Sequence, residues 1–296
     1  MRERMMMKLA NFLPGNGPAV FGRIEGETIV PLLRHDDAPA QDPLRHLLAR
    51  GEDLAAMAPA GAAIPLDAGT LLSPVLAPSK ILAIGLNYAP HAAEVEFQPP
   101  AKPLLFSKYP SSIIGPGEPI RFETRETSQV DYEAELAVVI GKRARQVSEA
   151  DALGHVLGYT ACNDVSARDA QFSDVQWVRG KSFDTFCPLG PWIVTADEIP
   201  DPQTLGIRCR VNGETLQNAN TGEMIFGVAN LISYFSRMIT LEPGDVIASG
   251  TPAGVGMARK PQVFLRNGDV VTVEIDGIGA LTNPVVAVSR TAPGPG

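Results

Sequence analysis

Residues 131–140 read DYEAELAVVI, and this stretch limits what the chain can fold into more than any other. Its aliphatic and β-branched second half suits an extended strand. Alternation places Tyr132, Ala134, Leu136, Val138 and Ile140 on one face. Asp131, Glu133, Glu135, Ala137 and Val139 share the other. The acidic face therefore runs into Ala137 and Val139, which does not suit a face turned to water. Neighbouring carboxylates in a half-buried place repel each other and raise each other's pKa unless a cation lies between them. Two readings stay open from this stretch: an edge strand with a wet face, or an acidic pocket built for a cation.

The rest of the chain reads as strands and turns. With 26 prolines and 28 glycines among 296 residues, a long helical bundle is excluded. Glu25-Gly26, Asn212-Gly213 and Asp276-Gly277 each separate two alternating runs, the pattern of a β-hairpin. Helical patterns are few. One or two short helices broken at Gly51 are expected over 42–57, one over 148–159 with Ser148 as N-cap, and one over 226–239. Residues 58–80 are rich in Ala, Pro and Gly and read as a connection. The expected fold class is α+β, dominated by a curled, mainly antiparallel sheet. Residues 1–74 form a small β-rich N-terminal domain with its connection, and 75–296 the larger domain.

A formal net charge of −8, with no basic run, argues against nucleic acid or an anionic membrane as partner. The three cysteines, Cys162, Cys187 and Cys209, are widely spaced and fit neither a disulfide framework nor a zinc site. The opening MRERMMMKLA has no apolar run of signal-peptide length, and no stretch is long enough to cross a bilayer. A cytoplasmic location is expected.

Three stretches carry candidate chemistry. Asp164 follows Asn163 where a strand should end, so it can join Glu133 and Glu135 in one cavity. Three carboxylates are hard oxygen ligands that suit Mg²⁺, Mn²⁺ or Ca²⁺. His91 and Glu94 lie three apart in a short helix that Pro90 would start and Pro99-Pro100 would stop. A histidine oriented by a carboxylate is the usual form of a general base. Lys181, with Arg179, sits among aromatic and apolar residues and can be buried against carboxylates. Thr251 and its Gly- and Pro-rich loop offer backbone N–H groups to an oxyanion or carboxylate. His35, His46 and His155 read as structural or solvent-facing, and no cysteine has a base beside it in sequence.

Taken together and in this order, ILAIGLNYAPHAAE, PLLFSKYPSSIIGPGEPI, VDYEAELAVVIGK, GYTACNDVSARDAQ, RGKSFDTFCPLGPW, NGETLQNANTGEMIF and LEPGDVIASGTPAGVG resemble the fumarylacetoacetate hydrolase family, over residues 75–288. The resemblance implies a mixed β-sandwich roll, usually dimeric, so a homodimer is expected. It implies Glu133, Glu135 and Asp164 as ligands of one Mg²⁺ or Mn²⁺ ion, and His91 with Glu94 as a water-activating dyad on a lid. Gln171 and Lys181 would position the water and the developing oxyanion. Thr251 and Gly250, with Arg168, would bind the substrate carboxylate. The implied activity is hydrolysis of a C–C bond in an acylpyruvate- or fumarylacetoacetate-like 2-oxo acid, in the breakdown of aromatic compounds. The same site would also serve an oxaloacetate-type decarboxylase or a 2-hydroxyhepta-2,4-diene-1,7-dioate isomerase, since fold does not choose the reaction. An alternative of another class is a catalytically silent binding module stabilised by Ca²⁺.

Overall fold

The computed structural model describes residues 7–37 and 42–289. The chain opens with an antiparallel meander of β1 (Lys8–Pro14), β2 (Val20–Glu25) and β3 (Thr28–Arg34). Glu25 pairs with Thr28, so Gly26 and Glu27 make the expected tight turn, with Gly26 at φ +60°. Helix α1 (Pro43–Ala49) follows, its first turn capped by Asp42, which accepts from Arg45 N at 3.1 Å. The chain reverses at Gly51 (φ +69°), and no second helix forms before Met57. The connection expected at 58–80 contributes strands of its own. β4 (Ile64–Pro65) pairs with β3, and β5 (Gly69–Leu72) pairs with β1.

The larger part begins with β6 (Ile81–Gly85), α2 (Ala89–Glu94), β7 (Leu104–Lys108), β8 (Ile113–Ile114) and β9 (Ile120–Glu123). Then come β10 (Val130–Asp131), β11 (Ala134–Ile140), β12 (Val156–Asn163), β13 (Ser166–Ala167), α3 (Arg168–Ser173) and α4 (Val178–Lys181). β14 (Cys187–Thr195), β15 (Gly206–Val211), β16 (Glu214–Asn220), α5 (Val228–Ser236), β17 (Val246–Ala248), β18 (Val270–Ile275) and β19 (Gly279–Val288) complete it.

Among the described residues these strands make one sheet of twelve, one of five and the pair β10–β13. The long path runs β4-β3-β2-β1-β14-β12-β11-β17-β6-β7, and the five-stranded path runs β16-β15-β18-β19-β9. The N-terminal meander joins the large sheet where Lys8 and Leu9 of β1 pair with Val194 and Ile193 of β14. Most pairings are antiparallel, while β17–β6, β8–β14 and β9–β19 are parallel. The fold is a sheet-dominated mixed α+β fold, as expected.

β11 lies at the centre of the large sheet, between β12 and β17, and every residue in it is buried. The edge-strand reading is thereby overturned. Its two faces divide as alternation requires. Tyr132, Ala134, Leu136, Val138 and Ile140 enter the main core with α5 and the five-stranded sheet. Ala137 and Val139 enter a second core with Leu44 and Leu47 of α1. Burying each large side chain of this strand contributes roughly 2 kcal/mol.

Two expected helices differ from the pattern. Over 148–159 there is a single 3₁₀ turn at Ala152–His155, and strand β12 begins at Val156. Ser148 caps a turn by accepting from Asp151 N (3.2 Å). Gly158 faces β14 so closely that an added Cβ would lie 2.2 Å from Val194 O, so sheet pairing overrides the helical pattern. Helix α2 stops at Glu94, before the Pro99-Pro100 pair. Phe97 N bonds Ala92 O (2.9 Å) and Glu96 N bonds Ala93 O (3.1 Å), with Glu96 at φ +61°. This is a Schellman end built on a glutamate instead of the usual glycine.

Candidate active site

The path β10–β11 breaks at Tyr132 and Glu133, between pairing with β13 and pairing with β12. At that break Glu133 N donates to Asn163 Oδ1 (3.0 Å) and Asp164 N donates to Glu133 O (2.9 Å). The end of β12 is thus tied to the start of β11, and Glu133, Glu135 and Asp164 converge. One carboxylate oxygen from each lies within 4.8 Å of the others, and all three side chains are buried.

Three buried cations answer these acids. Lys181, at the end of α4, places Nζ 2.6 Å from Glu133 Oε2 and 2.8 Å from Asp164 Oδ2. Arg168, at the start of α3, donates from Nη2 to Glu133 Oε1 (2.6 Å), from Nε to Asp131 Oδ2 (2.9 Å) and from Nη1 to Gln171 Oε1 (3.0 Å). Lys108, at the end of β7, donates to Asp164 Oδ1 (2.5 Å), to Val165 O (3.3 Å) and to Lys181 O. Burial alone would raise the Glu133 pKa, but Lys181, Arg168 and His91 outweigh it and hold that carboxyl well below the usual range.

Glu135 is the acid left over. Among the described residues it forms no ion pair, and its Oε2 accepts from Gly250 N at 3.1 Å. Burial, reinforced by Asp164 and Glu133, pushes its pKa well up. Among the described residues, Tyr88 Oη, which feels the Glu135 carboxyl, and Ser249 Oγ, one residue before Gly250, are buried without a hydrogen-bond partner. An all-carboxylate donor set, one unmatched acid and unpartnered hydroxyls fit a hard divalent cation with its oxygen shell. No histidine or cysteine among the described residues joins the cluster, a donor set that does not suit zinc or copper.

Helix α2 covers this cluster. His91 Nδ1 lies 2.8 Å from Glu94 Oε1, so Nε2 is the ring nitrogen left for chemistry. Glu94 Oε2 accepts from Gly254 N (2.8 Å), which ties the helix to the 249–256 loop. That loop approaches its neighbours too closely for a side chain at two points. An added Cβ at Gly250 (φ +104°) would lie 2.6 Å from Asn87 Cβ, and at Gly254 (φ +106°) 2.2 Å from Leu216 O. Thr251 Oγ1 accepts from Gln217 Nε2 (2.8 Å), and Gln217 Oε1 accepts from Ala134 N (2.9 Å). His91, Glu133, Arg168, Gln171 and Lys181 all line one small cavity.

A family model described as the fumarylacetoacetate (FAA) hydrolase C-terminal domain matches residues 80–286. The chain belongs to the fumarylacetoacetate hydrolase family. Among its relatives in the family is the mitochondrial oxaloacetate tautomerase fahd2 of Xenopus laevis, 54% identical over 219 residues, or 73% of this chain and 68% of that one. The fumarylacetoacetate hydrolase of the psychrophile Exiguobacterium antarcticum is similar in structure (TM-score 0.84, 42% identity, 95% of this chain and 100% of that one). So is a 2-hydroxyhepta-2,4-diene-1,7-dioate isomerase from Mycobacterium marinum (TM-score 0.78, 40% identity, 96% and 100%). Members of this family thus carry names for more than one reaction, and the chain is an enzyme of that family. The Xenopus relative is named as mitochondrial, which does not match the cytoplasmic expectation. No helix among the described residues is long and apolar enough to cross a membrane. The reading of the opening MRERMM as lacking a signal lies outside the described residues.

The family's sequence signature brings the named residues together in space. Glu133, Glu135, Asp164, His91, Glu94, Gln171, Lys181, Thr251, Gly250 and Arg168 all belong to this one region. Arg168, expected beside Thr251, instead spans Glu133, Asp131 and Gln171. Sequence reasoning missed four residues. Lys108 closes the strand LLFSK with a charge just past the apolar run Leu104–Phe106, and that charge was a readable signal. Asp131 accepts from Gly256 N (2.7 Å) and Met257 N (3.0 Å) and so anchors the loop end. Asn87 donates to Ser249 O (2.7 Å) and Phe226 O (3.0 Å). Gln217 and Asn87 gave no signal, because both act across long separations in sequence. The three cysteines are buried and unpaired. His35 bonds Asn11 and His155 bonds the Lys142 carbonyl, both through contacts that do not involve the cavity residues.

Proposed function

We propose that this chain is a divalent-metal-dependent tautomerase of an oxaloacetate-like 2-oxo acid. The observation that carries the reading is the His91–Glu94 pair, set at 2.8 Å on the cavity that also holds the acidic triad. Keto–enol exchange needs one proton moved between C3 and the 2-oxo oxygen, and nothing else is consumed. His91 Nε2 takes the proton from C3, and Glu94 stabilises the imidazolium. The negative charge arriving on the 2-oxo oxygen faces Lys181 and Arg168. The proton then returns to that oxygen to give the enol, and the reverse path gives the ketone. Glu133, Glu135 and Asp164 would hold a Mg²⁺ or Mn²⁺ ion, which would supply Lewis acidity when bound. Thr251 and its loop receive a substrate carboxylate. The identity to a named oxaloacetate tautomerase supports this reading.

Hydrolysis of an acylpyruvate is the second reading, favoured by the likeness to a fumarylacetoacetate hydrolase. There His91 takes a proton from water, the hydroxide adds to the distal carbonyl, and the C–C bond breaks. Carbon C3 of the pyruvate half then gains the proton. Gln171, on the cavity wall, positions the water.

The test is the rate at which enol oxaloacetate loses its ultraviolet absorbance, measured against the spontaneous rate with Mn²⁺, Mg²⁺ or chelator. Pyruvate release from acylpyruvates is followed in parallel. Metal-dependent acceleration of enol decay supports the tautomerase. Acceleration of pyruvate release alone transfers the assignment to the hydrolase, and neither effect overturns both.

A further inference from the structure

The cavity changes character between its floor and its mouth. The floor is polar, with Glu133, Arg168, Gln171, Lys181 and His91. The mouth is formed by Val95, Phe97, Phe172, Trp177 and Met257. Among the described residues, no lysine, arginine or histidine lines the mouth, and Arg168 and Lys181 of the floor already hold carboxylates.

The apolar wall is built and not incidental. Trp177 lies against β6, where an added Cβ at Gly85 would meet its ring at 2.7 Å. Its ring packs edge-on to Phe106 at 5.6 Å, and Phe106 in turn lies 5.1 Å from Lys181 Nζ. Phe97 and Phe172 remain 50% and 52% exposed, unusual for phenylalanines flanking a charged cavity. The space between floor and mouth is narrow, about 40 Å³, and opens to solvent past Phe97 and Phe172.

We propose that Phe97, Phe172 and Trp177 are specificity-determining residues that admit a 2-oxo acid whose chain past C4 is absent or apolar. The inference rests on the reading that the 2-oxo carboxylate head lies on the floor, at the acidic triad. A substrate held there directs its tail toward the aromatic mouth. A four-carbon diacid ends on the polar floor, beside Gln171 and His91, before it reaches that mouth. In a longer diacid the second carboxylate leaves water for an aromatic surface with no cation to receive it, which is costly. An alkyl tail of the same length is instead favoured by that surface. The seven-carbon dioate in the name of the Mycobacterium marinum neighbour is therefore outside the substrate class of this chain.

The test compares two compounds that differ only in the terminal group, 2-oxoheptanoate and 2-oxoheptane-1,7-dioate. Deuterium exchange at C3 is read by proton NMR with the Mn²⁺-free, Mg²⁺-loaded protein. The expected result is a kcat/KM at least tenfold higher for 2-oxoheptanoate. Phe172→Arg and Phe97→Arg should shrink that ratio at least fivefold through the dioate, with melting temperature unchanged, since both side chains are half exposed. Equal handling of the two compounds, or an unchanged ratio in both variants, overturns the proposal. If neither compound exchanges, their Kd values from calorimetry carry the same comparison. Enol oxaloacetate is run alongside. Its failure to respond refutes the tautomerase reading, while the ratio of the seven-carbon pair separately decides the role of the mouth.

Discussion

The ammonium of Lys108 and the carboxylate of Asp164 meet at 2.5 Å with neither side chain exposed to solvent. Burial works against the lysine's charge, but Asp164 outweighs it and raises the Lys108 pKa. Removing one member of such a pair leaves the other charged and poorly matched. Lys108→Met should cost about 3 kcal/mol of stability, measured by urea unfolding. A loss below about 1 kcal/mol would mean that Lys181 alone satisfies Asp164.

Glu135 has the opposite standing, as a buried acid with no cation of its own. Glu135→Gln replaces an acid that burial already drives toward its neutral form, and keeps the acceptor for Gly250 N. The metal-free variant should be at least as stable as the parent in thermal melts. Its Mn²⁺ affinity, by calorimetry, should fall by a factor of roughly 10 to 100 or more. Undiminished Mn²⁺ binding would remove Glu135 from the ligand set.

Glu94 serves two partners, one oxygen on His91 and the other on Gly254 N. His91→Ala should lower proton transfer by about 10² to 10⁴-fold while Mn²⁺ affinity stays near the parental value. Glu94→Gln should also lower kcat, because a carboxamide has a single acceptor oxygen for two N–H donors, His91 Nδ1–H and Gly254 N–H. Unchanged turnover in His91→Ala would exclude the imidazole from the chemistry.

Asp169 supplies a pH dependence that can be tested on stability. Burial opposes its ionisation, but Ser128 N (2.9 Å), the Thr127 hydroxyl (2.7 Å) and Ala170 N (2.9 Å) outweigh it and lower its pKa. A carboxylate with a lowered folded-state pKa stabilises the fold above its unfolded value, about 3.9. That contribution is lost as pH falls through the lower folded-state value. Asp169→Asn should therefore flatten the acid limb of a stability–pH curve below pH 4 and leave neutral pH little changed. An identical acid limb in both proteins would refute this.

Much of the site was readable because its parts are local. The two faces of 131–140 follow from alternation alone, and the His91–Glu94 contact follows from one helical turn. The hairpin at Asn212-Gly213 follows from two residues that accept positive φ, here +52° and +85°. What escaped the sequence depends on distant partners. A helical pattern at 148–159 gave way to a strand because Gly158 must pass under Val194. Lys108 earns its place only once Asp164 and the Lys181 carbonyl arrive from elsewhere.

The pairing of β1 with β14 ties residues outside the family match to the sheet that carries the acids. β14 borders β12, and Asp164 follows the last residue of β12. A chain trimmed to residues 80–286 would keep the β12 side of β14 paired but expose its β1-facing edge at Ile193 and Val194. Such a margin invites self-association. The shortened protein should therefore come out of expression as aggregate, even with every residue of the acidic cluster still in place.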